Sequence, residues 1–95
     1  MSESLEARGY VVRGRVQGVG FRWYAQRIGL HLGVAGHVRN LRDGGVEVHA
    51  RGTPQALQAF EEALQRGPPA SRVESVVRIP ADPRTPERGF LMEEW

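Results

Sequence analysis

The chain has 95 residues, of which 40% are hydrophobic and 25% charged, and a formal net charge of +2. That suits one soluble domain with a modest core, and no apolar run is long enough to span a bilayer. All 13 basic residues are arginine and there is no cysteine, which excludes disulfides, thiolate nucleophiles, Schiff-base lysines and any large positive field.

The start, Met1-Ser2-Glu3-Ser4-Leu5-Glu6, is acidic and polar, so it reads as no signal peptide and predicts a cytoplasmic protein. Residues 1–7 are expected to be a loose tail on a single domain covering 1–95. A first strand over about 8–16 turns Tyr10, Val12 and Val16 one way and Val11, Arg13 and Arg15 the other. Phe21, Tyr24, Ala25, Ile28 and Leu32 recur at the spacing of one helix face. That predicts a helix from about Arg22 to Leu32, with Gly33 as its C-terminal cap. A second strand, about Val34–Leu41, points Val34 and Val38 inward and His37 and Arg39 outward. Arg42-Asp43-Gly44-Gly45 is a tight hairpin turn into a third strand, about Val46–Arg51.

Thr53-Pro54 reads as an N-cap followed by proline at the first helical position. Ala56, Leu57, Phe60, Ala63 and Leu64 form the apolar stripe of that helix, and Gly67-Pro68-Pro69 stops it. A fourth strand over about Arg72–Ile79 has Val73, Val77 and Ile79 as its inward set. Pro80, Pro83 and Pro86 keep the next segment a loop, and Gly89 to Glu94 reads as a short last strand. The order is β-α-β-β-α-β plus a final strand. Two amphipathic helices must cover one face of an antiparallel sheet and leave the other wet, which is an α+β, ferredoxin-like two-layer sandwich.

The stretch Gly14-Arg15-Val16-Gln17-Gly18-Val19-Gly20-Phe21-Arg22 joins the first strand to the first helix. The first amides of a helix lack intrahelical partners and sit at the positive end of its dipole. Glycines let the preceding backbone fold into a nest whose N–H groups converge on an anion. Arg22 adds a planar fork for two phosphate oxygens, in a first turn where the dipole mildly disfavours a cation. This composition points to a tetrahedral oxyanion. It is neither a Walker A loop, which needs Lys before Ser or Thr, nor a dinucleotide fingerprint, since Trp23 stands where the third glycine belongs.

Other constellations read as structural. Arg13, Arg15, Arg39, Arg51 and Arg78 are placed on outward strand positions among Glu47 and Glu74, a solvated face without the aromatics that stack RNA bases. His31, His37 and His49 have no ligand-like spacing and no clustered carboxylates, so no metal site is expected. Ser71 and Ser75 lack His–Asp partners. Asn40, at the end of the second strand, reads either as a turn former or as an amide that holds a water.

The Gly14–Arg22 run closely resembles the signature of the acylphosphatase family, enzymes that hydrolyse carboxyl-phosphate anhydrides. The run Gly36-His37-Val38-Arg39-Asn40-Leu41-Arg42-Asp43-Gly44-Gly45-Val46-Glu47-Val48 is similar to the family's second signature, except that His37 stands where the family usually has Trp. The resemblance implies a metal- and cofactor-independent hydrolase of small acyl phosphates. It also implies that Gln17, Gly18, Val19, Gly20 and Phe21 bind the phosphate through their amides, with Arg22, and that Asn40 holds the attacking water. Arg22 and Asn40 are thus the expected catalytic pair. Phosphate or sulfate should compete, and a monomer without nucleic-acid or membrane partners is expected. The alternative is a non-catalytic phosphate- or RNA-binding module on the same fold.

Overall fold

A computed structural model describes residues 4–93. The elements are β1 (Glu6–Arg15), α1 (Phe21–Leu32), β2 (Ala35–Asn40), β3 (Val46–Gly52), α2 (Pro54–Arg66), β4 (Arg72–Ile79) and β5 (Phe90–Met92). They form one five-stranded sheet, in the order β4-β1-β3-β2-β5, with both helices on one face. This is the expected α+β sandwich, and β1 and β2 lie parallel with β3 between them. Among the described residues, no helix is long and apolar enough to cross a membrane.

The sequence-level stop and start signals operate as written. Gly33, at φ 74°, closes α1, and its backbone N–H returns to the last turn. Thr53 caps α2 by accepting from the Ala56 amide at 3.1 Å, with Pro54 at the first helical position. Tyr10 and Val12 from β1, Val16 just after it, Val38 from β2, and Val46 and Val48 from β3 meet Phe21 and Ala25 of α1 and Leu57, Phe60 and Leu64 of α2 in one buried cluster. Burying a side chain of this size contributes roughly 1.5–3 kcal/mol, so the two helices are held by packing more than by helix propensity.

Four expectations are corrected. The sheet is mixed, because β5 runs parallel to β2 while the other pairs are antiparallel. β4 and β5 lie on opposite edges, so the proline-rich loop between them crosses the outer face, which is therefore not left fully wet. Glu6 and Ala7, read as tail, pair with Gly52 and Arg51; residues 1–3 of that tail, and Glu94 of the last strand, lie outside the described residues. In β4 the register shifts between Arg13/Gly14, so that Ser75 faces Arg13 but Val73 faces Gly14. Glu74 is the extra residue of a bulge, and a one-residue insertion flips every side chain beyond it. Hence Val76, not Val77, packs on the core, and Val77 is 54% exposed. The same flip turns Arg78 from the outer to the helix side, where its Nε meets Glu61 of α2 at 2.7 Å.

Candidate active site

The turn between β1 and α1 takes its shape from two residues. Gly18 and Gly20 have φ of 74° and 79°, a left-handed conformation that costs a residue with a Cβ about 1 kcal/mol or more. A Cβ on either would meet no atom within 4 Å. The demand is therefore conformational, and beyond each glycine lies open space. The turn borders a hollow of about 150 Å³ lined by Gly18, Gly20, Phe21, Arg22 and Asn40, together with Val16, Trp23 and Met92.

Among the described residues, no carbonyl accepts from the amides of Gly18, Val19, Gly20 or Phe21. Gly20 caps α1 without a side-chain hydrogen bond, and the first turn holds no acidic residue. The helix N-terminus thus keeps its unpaired donors and uncompensated positive end beside the hollow. What this arrangement can do chemically is hold an oxyanion.

Two side chains tie the hollow's surroundings to distant segments. Gln17 Nε2 donates to the Leu41 and Gly45 carbonyls at 2.6 and 2.8 Å, tying the loop to the β2–β3 turn. That turn is itself closed by Asp43, whose Oδ1 accepts from the Gly45 amide at 3.0 Å. The Arg13 guanidinium and the Gly45 amide hold the Asp43 carboxyl below the usual range. Arg22 Nη1 donates to the Glu93 carbonyl at 2.7 Å.

The residues singled out from the sequence therefore converge unequally. Gly18, Gly20, Phe21, Arg22 and Asn40 share the hollow. Asn40, the last residue of β2, pairs with Val46, whose side chain is in the core, so its amide faces the helix side where the hollow opens. Val19 packs its side chain against the core, leaving only its backbone for an anion. Gln17 turns its side chain away, toward the hairpin. Sequence reasoning missed that bracing role, and also missed Glu93 and Met92. No local pattern carries these contacts, which join positions up to 71 residues apart.

The outer face corrects the reading of the histidines. His37 points outward as expected, yet it is 8% exposed and His49 3%, because the β4–β5 loop covers them. The two rings stack at 5.1 Å, as directly opposed positions on β2 and β3. The Asp82 amide donates to His49 Nδ1 at 3.0 Å, which assigns the proton to Nε2, donating to Glu47 Oε2 at 2.7 Å. His37 Nδ1 bonds Glu93 Oε1, and its Nε2 lies 3.9 Å from Asp82 Oδ2. Carboxylates do gather around the histidines, and donor atoms of His37, His49 and Asp82 come within 4.8 Å of one another. Both nitrogens of His49 are already engaged, so the trio reads as a hydrogen-bonded cluster. Burial would raise the Glu47 carboxyl, but hydrogen bonds from His49 and Arg39 outweigh it and hold the group below its ordinary value.

Comparison with known proteins gives the chemistry a context. The sequence matches the acylphosphatase family over residues 8–92. It is 48% identical over 93 residues to an acylphosphatase of Koribacter versatilis, covering 98% of this chain and 84% of that one. With an acylphosphatase of Halorhodospira halophila it shares 49% over 86 residues, 90% and 94% of the two chains. The crystal structure of acylphosphatase from Bacillus subtilis superposes with a TM-score of 0.81 at 38% identity, covering 95% of this chain and 99% of that one. These comparisons lend no support to a non-catalytic phosphate- or RNA-binding module.

Proposed function

This chain belongs to the acylphosphatase family and is an acyl-phosphate hydrolase; from that premise we propose that the hollow at the start of α1 is its active site and works by holding the phosphoryl group, without a metal. The observation that carries this is the set of unpaired amides from Gly18 to Phe21 meeting Arg22 and Asn40 around one hollow.

The substrate is R–CO–O–PO₃²⁻. The backbone N–H groups of Gln17, Gly18, Val19, Gly20 and Phe21, together with the Arg22 guanidinium, take the phosphoryl oxygens. Asn40 donates to or accepts from a water and holds it on the side opposite the carboxylate. The water oxygen bonds to phosphorus while the P–O bond to the acyl group breaks, its electron pair leaving on the carboxylate. The water's proton passes to a phosphoryl oxygen, so the products are R–COO⁻ and H₂PO₄⁻. Neither a guanidinium nor a primary amide is a base at neutral pH, but a carboxylate is a good leaving group and a loose transition state asks little of one. Catalysis is then positioning plus electrostatic stabilisation by preorganised donors.

Among the described residues, no carboxylate or imidazole lines the hollow, which supports catalysis without a bound cation. We take the protein to act as a cytoplasmic, single-domain monomer on small acyl phosphates, with phosphate or sulfate as competing anion. The direct test is phosphate release from acetyl phosphate or benzoyl phosphate in the presence and absence of EDTA. Equal turnover is expected in both. Loss with EDTA that a divalent ion restores would overturn the metal-free mechanism.

A further inference from the structure

Arg22 is held by the far end of the chain. The Glu93 carbonyl that accepts from its Nη1 belongs to a residue fixed at two other points. The Glu93 amide donates to the Val38 carbonyl at 2.8 Å, extending the β2–β5 pairing by one residue. The Glu93 carboxylate bonds Nδ1 of His37, a buried ring stacked on His49.

The kind of acceptor matters. A carbonyl fixes the plane of a guanidinium without neutralising it, whereas a carboxylate would compete with a phosphoryl dianion for the same fork. Glu93 carries both groups, and its carboxylate is occupied by His37 on the sheet's outer face.

We propose that Glu93 is a positioning residue for Arg22, with His37 holding it. The Glu93 carbonyl aims the guanidinium at the hollow, and His37 keeps the neighbouring carboxylate from occupying the fork in place of substrate. The proposal rests on Arg22 being a phosphate ligand.

A mutant cycle tests it, read as kcat/KM for acetyl phosphate, inhibition by inorganic phosphate, and Tm. Glu93→Ala loses the His37 anchor but keeps the backbone carbonyl, and should lower kcat/KM about tenfold, as small misplacements of a catalytic group do. His37→Ala should cost more, because it frees the carboxylate, and adding Glu93→Ala to it should recover part of the loss. His37→Gln, which retains a donor for Glu93, should lie near wild type. With Arg22→Lys already present, Glu93→Ala should change kcat/KM by less than about twofold, since coupled residues are non-additive. A merely structural contact would instead cost the same factor in both backgrounds. That result, or a wild-type kcat/KM in Glu93→Ala beside a damaged Arg22→Lys, overturns the proposal. If Arg22→Lys is itself undamaged, the reading of the hollow fails first. Should His37→Ala not fold, the Glu93→Ala cycle decides alone.

Discussion

In the proposed mechanism Arg22 holds the phosphoryl group and Asn40 holds the water that attacks it, and substitution should separate them. Arg22→Lys keeps a charge but loses the bidentate fork. Phosphate inhibition should weaken and turnover fall, by on the order of 10³ on the scale of other transition-state arginines. Asn40→Ala removes only the anchor of the water, so phosphate inhibition should persist while kcat drops by about 10², as for a lost catalytic donor. Steady-state kinetics with inorganic phosphate as inhibitor checks both. Equal loss of phosphate binding in the two variants would make Asn40 part of the cradle. Both residues stand out in the sequence, because each sits inside a contiguous signature, and both line the hollow. Glu93 does not, because its contact with Arg22 joins positions 71 residues apart that only the fold brings together.

The turn into α1 ties backbone conformation to function. Gly18 and Gly20 are left-handed with open space where a Cβ would stand. Gly18→Val or Gly20→Val should therefore cost on the order of 1–3 kcal/mol in backbone strain, imposed on the turn that lines the hollow. Phosphate inhibition should fall further than the thermal midpoint alone would account for. Normal phosphate binding in either variant would make that glycine an ordinary turn residue. Helix ends and the hairpin were readable because Gly33, Thr53-Pro54 and Asp43-Gly44 act within a few residues. The bulge at Glu74 was not: a strand's period of two says which residues alternate, but only pairing with Arg13 and Gly14 shows where the alternation slips.

At the scale of the whole molecule, the outer face holds carboxylates that favour their charged form. Glu47 is depressed by His49 and Arg39 despite its burial, and Asp82 by the Arg84 amide and side chain. A group whose folded pKa lies below its unfolded value contributes stability that is complete above the unfolded pKa and disappears as pH falls through the folded one. The thermal midpoint should therefore decline as the medium is acidified through the carboxylate range. Glu47→Gln should flatten that decline. An unchanged slope in Glu47→Gln would mean the His49–Arg39 arrangement stabilises nothing in solution.

The sequence by itself determined the α+β class, the element order, the inward faces of both helices and of β1, and the two contiguous runs that carry Gly18, Gly20, Arg22 and Asn40. Each of these depends on neighbours within a turn or a strand, where periodicity and turn chemistry act directly. The tertiary structure decided what depends on encounters between distant segments. It laid the β4–β5 loop across the outer face, which made β5 parallel to β2 and buried His37 and His49 among Glu47, Asp82 and Glu93. It also brought the Glu93 carbonyl to Arg22 and the Gln17 amide to the hairpin turn. A one-dimensional pattern records which face a residue prefers; it does not record which other face will arrive to cover it.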